Sequence, residues 1–238
     1  MLMFMSDGPL RVAVIIDLVG SRQQRDRAWL HRVFLDALAQ VDALVPGELA
    51  LAPTVGDEAQ ARYWRVSDAL TATMLLRLVL PESLDCRAGI GVGAVQDLGP
   101  GVAGLLQDGP GWWAARDAIN EAKARERGKD RTLRTWYLVS TEETPEHVLP
   151  AAVVQAFLLA RDEIISAMPD RSRRLLLGVL RGSSQADLAA QEGISASAVS
   201  QNLQRSGAYA VLHAHERLAG EVPTPSVAPE TRHEEEGD

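Results

Sequence analysis

The order in which the hydrophobic period changes constrains this chain more than any single motif. Residues 11–16 are apolar and β-branched, and read as a buried strand. Ser21 is placed to cap a helix. Apolar residues then recur at Trp29, Val33, Phe34, Leu38 and Val41, a helical spacing on one face, until Pro46-Gly47 stops it. Residues 49–55 and 59–64 read as two strands joined by a tight turn at Gly56-Asp57. A second helix at 67–80 ends at Pro81. A fourth strand at 86–95 contains "RAGIGVGAV", with glycines where its backbone is closely approached. A Gly-rich loop at 99–111, a helix at 112–127 with a basic end and a last strand at 135–140 follow. The order β-α-β-β-α-β, with an added helix and strand, predicts an α+β, ferredoxin-like antiparallel sheet with helices on one face.

Strand signals stop after Pro150. The expected organisation is an α/β domain at 1–145, a connecting helix at 146–169, an all-α helix-turn-helix domain at 170–220, and a disordered, Pro-rich acidic tail at 221–238. A chain of 238 residues with 46% apolar content can bury a real core. A net charge of -8 argues against a general nucleic-acid coat but permits a local basic face. The lone Cys86 excludes a disulfide framework, and the five histidines are scattered. The apolar N-terminus lacks the basic flank of a signal peptide. No apolar run approaches the roughly 20 residues of a membrane span. A cytoplasmic protein without membrane contact is the expectation.

The second half carries the sharper pattern, "SQADLAAQEGISASAVSQNLQRSG". Ser184 and Asp187 form a capping-box-like start. Gly193 sits where a helix ends in left-handed backbone, Ile194 follows as an apolar plug, and Ser195 caps the next helix. Small Ala189 lets the two helices cross closely, while Val199 and Leu203 face inward. This is the spacing of a helix-turn-helix. On the outer side lie Ser197, Ser200, Gln201, Gln204 and Arg205, side chains suited to base edges and phosphates. Arg171, Arg173, Arg174 and Arg181 would add phosphate contacts. A helical hairpin used only for packing is the plainer reading. The segment resembles the helix-turn-helix of sigma-factor region 4, which implies that the helix at 195–205 is the recognition helix.

Asp17 ends the first strand and Asp57 sits at the tip of the hairpin. Neighbouring strands would bring both carboxylates to one end of the sheet, close enough to share a divalent cation such as Mg²⁺ together with ligand phosphates. Gly20 and Gly56 would leave backbone amides open to a phosphate, with Ser21, Glu58 and Gln60 nearby. Each acid also has a structural reading, Asp17 as a helix cap and Asp57 as a turn residue. The basic run Lys123, Arg125, Arg127 and Lys129 is either a solvated helix end or a phosphate contact. Of Trp112 and Trp113, one is expected in the core; the other packs, stacks on a base or seals the cleft.

The blocks "DLVGSR", "VGDEAQ", "RAGIGVGAV" and "GPGWWAARDAI", in that order, resemble the SatD family, and they also look like a degenerate class III nucleotide cyclase domain. That resemblance implies that Asp17 and Asp57 match metal-holding acids and that Arg116 matches the arginine stabilising the transferring phosphate. It also marks two departures. Pro53 stands where ATP-specific cyclases carry a base-reading lysine, and Trp112 where they carry an asparagine; neither replaces those hydrogen bonds. The expectation is therefore a DNA-binding transcriptional regulator, dimeric because one recognition helix reads only a half-site. Its sheet domain would sense a ligand, a nucleotide with Mg²⁺, without cyclising it. The alternative is an active cyclase or other metal-dependent phosphoryl-transfer enzyme.

Overall fold

The computed structural model describes residues 8–101, 104–140 and 148–220. The expected tail at 221–238 and the expected boundary at 145/146 lie outside the described residues. Five strands, β1 (Leu10–Leu18), β2 (Leu49–Pro53), β3 (Glu58–Tyr63), β4 (Cys86–Ala94) and β7 (Thr135–Val139), form one sheet in the order β2-β3-β1-β4-β7. The first four pair antiparallel throughout, with β1 central between β3 and β4. The added strand β7 joins the edge parallel to β4. The Gly-rich segment is not an open loop: it folds as a separate hairpin of β5 (Gln96–Gly101) and β6 (Gly104–Asp108).

Alternation along β1 divides the interior in two. Val12, Val14, Ile16 and Leu18 face a large core shared with α1 (Arg27–Leu44) and α2 (Val66–Val79). Ala13 and Ile15 face a second core built with α3 (Pro110–Arg127), through Trp112, Ala115 and Ile119. Helices therefore cover both faces rather than one. The reason lies in β4. Gly89, Gly91 and Gly93 fall on one face, and α3 lies directly against them. A Cβ at position 91 would stand 2.2 Å from the Ala115 nitrogen and 2.3 Å from the Gly111 oxygen. The close approach that the glycines signal is thus a helix backbone.

Helix α1 starts later than Ser21. Residues Ser21–Gln23 make a short 3₁₀ turn, and Asp26 is the cap, accepting from the Trp29 nitrogen at 2.8 Å. The buried stripe is Leu30, Phe34, Ala37, Leu38 and Val41, with Trp29 and Val33 half-buried at its margin.

Helix α4 (Ala151–Ala167) inserts Val154 and Leu158 into the large core and carries a buried ion network. Asp162, 0% exposed, accepts at one oxygen from Arg161 and from Arg77 of α2. Its other oxygen accepts from the backbone nitrogens of Arg134 and Thr135, each at 2.7 Å, at the start of β7. Four further helices follow: α5 (Asp170–Leu180), α6 (Gln185–Glu192), α7 (Ala196–Arg205) and α8 (Ala208–Gly220). Their core includes Leu175, Leu176, Leu188, Val199, Leu203 and Val211, and it continues into α2 through Met74 and Leu78. Among the described residues no helix is long and apolar enough to cross a membrane.

Two substitutions test this architecture. Gly91→Ala forces α3 off the sheet and is expected to cost about 1–3 kcal/mol or more, read as a lowered denaturation midpoint. Asp162→Ala leaves Arg161 and Arg77 buried without their shared counter-charge. The expected loss is about 3–5 kcal/mol in the same measurement; an unchanged midpoint would show that the network is dispensable.

Candidate ligand cleft and an exposed polar helix face

Strand parity sets the first site. Asp17, like Ala13 and Ile15, lies on the α3 face of β1; it stands opposite Glu58 of β3 and Arg87 of β4. The end of β1 is tied to the hairpin tip by the Leu18 nitrogen, which donates to the Asp57 carbonyl at 3.3 Å. Asp17 and Asp57 thereby line one cleft of about 530 Å³, together with Gly20, Ser21 and Glu58. Gly56 lies instead on a smaller neighbouring pocket beside Asp57. Gln60 donates to Glu58.

The acids of the cleft already have partners. Lys123 Nζ of α3 sits on Asp17 Oδ2, and Arg87 approaches Asp17 Oδ1 at 3.5 Å. That Oδ1 is buried and accepts no hydrogen bond. Arg87 is held in turn by Glu126. The Ser21 hydroxyl donates to Asp57 Oδ2. Arg116 does not line the cleft: its two terminal nitrogens donate to Glu58 at 2.7 and 2.8 Å. That fork of hydrogen bonds holds the guanidinium charged, above its ordinary value. Arg22 and Arg127 also line the cleft, are exposed, and form no ion pair among the described residues. Asp17, Glu58 and Glu126 are paired with cations and Asp57 with the Ser21 hydroxyl, while Arg22, Arg127 and a glycine backbone remain to meet an anion.

The divalent cation implied by the resemblance does not fit this arrangement. A metal ion beside Asp17 would stand against the Lys123 ammonium, and like charges at that range repel. Among the described residues no group of three or more His, Cys, Asp or Glu is placed to hold a metal.

Sequence reasoning singled out Lys123 and Arg127 only as members of a basic run. The structure parts that run: Lys123 and Arg127 reach the cleft, while Arg125 turns to Glu121 and stacks 4.2 Å over Trp136. Arg22 and Arg87 were missed. Arg87 had a legible signal, since it follows from the antiparallel pairing of β4 beside Asp17. Trp112 is the core tryptophan, and Trp113 is exposed, its indole nitrogen donating to Asp108 at 2.7 Å. Pro53 pairs with Ala59 in the hairpin.

The second site is the outer side of α7. Ser184 and Asp187 form the reciprocal capping box of α6, and Gly193 closes that helix in left-handed backbone at φ 64°. A Cβ there would be strained, which is why glycine stands at this turn. The Ser195 hydroxyl accepts from the Ala198 nitrogen at 3.1 Å and starts α7. Val199 and Leu203 are buried. Ser197, Gln201, Gln204 and Arg205 are exposed, and Ser200 is half-buried. Arg171 of α5 shares a groove of about 350 Å³ with Gln201 and Arg205. Arg171 also pairs with Glu192 at 3.4 Å, and the other expected phosphate contacts are engaged as well. Arg173 points inward, donating to the Arg77 and Ile165 carbonyls; Arg174 pairs with Glu192; and Arg181 donates to Gln40.

Comparison with known proteins sets these sites in a family. No curated protein matches the chain. Two solved structures, each described as a bacterial light-regulated adenylyl cyclase, align with TM-scores of 0.42 and 0.41 at 11% and 12% identity. Each alignment covers 54% of this chain, against 42% of the first structure and 74% of the second. Likenesses this weak carry no inference about chemistry. The family comparison is of another order: the SatD family matches over residues 11–220, nearly the whole described chain, and the protein belongs to the SatD family.

Proposed function

We propose that this chain is a ligand-responsive DNA-binding regulator, in which α6 and α7 act as a helix-turn-helix and the sheet domain binds a phosphorylated ligand, a nucleotide among the candidates. The observation that carries the DNA half is the division of α7. Val199 and Leu203 point into the core while Ser197, Gln201, Gln204 and Arg205 are exposed to solvent. Amide, hydroxyl and guanidinium side chains on one exposed helix face are the groups that read base edges in a major groove. A second copy of the chain would supply the other half-site. The ligand half is supported by the cleft, where Asp17, Glu58 and Glu126 are paired with cations, Asp57 with a hydroxyl, and Arg22 and Arg127 with no carboxylate among the described residues. Helix α2 contributes to the cores of both halves, so a ligand that shifts the sheet domain has a packed route to α7.

Turnover is not part of this reading. Arg116 is committed to Glu58, and the resemblance puts Pro53 where cyclases carry the base-reading lysine and Trp112 where they carry the transition-state asparagine.

Two measurements test the proposal. Binding to a pool of genomic fragments, read by gel shift at low salt, is expected and should weaken steeply as salt rises. Gln201→Ala should cost about 1–3 kcal/mol on the preferred sequence, while Arg205→Ala weakens all sequences alike. Absence of any shift at low salt defeats the DNA half, and salt-indifferent capture of a protein points to an interaction module instead. For the ligand half, nucleoside triphosphates should raise the melting temperature, and the paired change Arg22→Ala with Arg127→Ala should remove that rise. A rise that survives the double change places the ligand elsewhere.

A further inference from the structure

The sheet's acids and their partners carry one inference beyond the proposed regulator, resting on its phosphate-ligand reading. The geometry points to Lys123 as a resident cation that takes the place of a divalent metal, so that the cleft binds its phosphorylated ligand without a metal ion.

Asp17 is more enclosed than Glu126 and Glu58 of the same cleft, its side chain 13% exposed, and it lies between two cations. Lys123 reaches it from α3 across the sheet face and Arg87 from the adjacent strand. A lone carboxylate at that depth would need a counter-charge, and a hard dication is one solution. This chain holds another, covalently attached and permanently in reach. The position of Lys123 is not accidental to the fold. Helix α3 lies against the glycine face of β4 at backbone distance, and that close seating sets the height of its C-terminal half above Asp17. An ammonium is a compact point charge that binds phosphate directly, as a metal would bridge to it.

Geometry also separates this role from a chance surface pair. Lys123 is two-thirds enclosed, with its side chain 33% exposed, and it lines the same cleft as Gly20, Arg22 and Arg127. One nitrogen can therefore neutralise Asp17 and still present protons to a ligand oxygen, since an ammonium has three donors.

The test uses the full chain, with Mn²⁺ alone and inorganic triphosphate as probes and the melting temperature as readout. Wild type should show no response to Mn²⁺ alone. Lys123→Ala vacates the cation's place beside Asp17. It should then gain about 3–5 °C at Mn²⁺ roughly ten times above its dissociation constant, and Asp17→Asn added to that variant should abolish the gain. Lys123→Arg keeps the charge and should gain nothing. Triphosphate should raise the wild-type melting temperature equally in EDTA and in Mg²⁺. A Mn²⁺ rise in wild type that Asp17→Asn removes overturns the inference. So does a cooperatively melting Lys123→Ala protein without a Mn²⁺ response, or a triphosphate rise that requires Mg²⁺. If Lys123→Ala does not melt cooperatively, Lys123→Met is read by the same criteria. A wild type indifferent to triphosphate in both conditions sinks the phosphate-ligand reading, while the Mn²⁺ arms still decide the role of Lys123.

Discussion

The buried Asp162 carboxylate is the joint on which the arrangement of this protein depends. It gathers Arg161 from its own helix, Arg77 from α2 and two backbone nitrogens from the start of β7. Arg77 extends the network to Asp85 and Ser166, and Arg173 of α5 donates to the Arg77 carbonyl. Burial alone would raise the Asp85 carboxyl, but Arg77 and Arg134 outweigh it and hold that group below its ordinary value. Charges taken this far from water persist only when matched and hydrogen-bonded on nearly every side. The geometry is therefore narrow, and it locks α2, α4, β7 and α5 into one set of positions. This is how the last helices come to share a core with the sheet domain.

A second constraint acts on the opposite face. The glycines of β4 remove every side chain that would hold α3 away, and small residues of the helix, Gly111, Ala114 and Ala115, meet them. Close packing gains dispersion contact, but here its larger consequence is electrostatic. It brings Lys123 and Glu126 down onto the ends of β1 and β4, beside Asp17 and Arg87. The same helix places Arg116 on Glu58. The charge pairing in the cleft is thus decided by how near a helix lies to a strand.

Much of the fold was legible because periodicity is local. The apolar run of β1, the one-sided stripe of α1 and the turn at Gly56-Asp57 each announce themselves within a few residues, and their order predicts the antiparallel arrangement about β1. The capping box at Ser184 and the glycine at 193 were legible for the same reason, since each motif closes within four residues. Other features were not. Ser21 has the chemistry of a cap, yet its hydroxyl goes to Asp57, 36 residues away, and Asp26 caps instead. The segment after β4 has the composition of a loop but pairs with itself as β5 and β6. The arginines of α5 look alike in sequence, but a helix has an inside and an outside: Arg173 turned in and Arg171 stayed out.

From its sequence alone, this chain determined most of its strands and helices and their order, that Asp17 and the hairpin tip at Asp57 lie at one end of the sheet, and that α7 has one polar side. These follow from residue type and short-range spacing, which any chain carries in one dimension. Only the tertiary structure decided that Asp17 is answered by Lys123, a residue 106 positions later by number, and that the C-terminal helices are welded to α2. Partner choice among buried charges depends on distances and dielectric surroundings, and those exist only once the layers have packed.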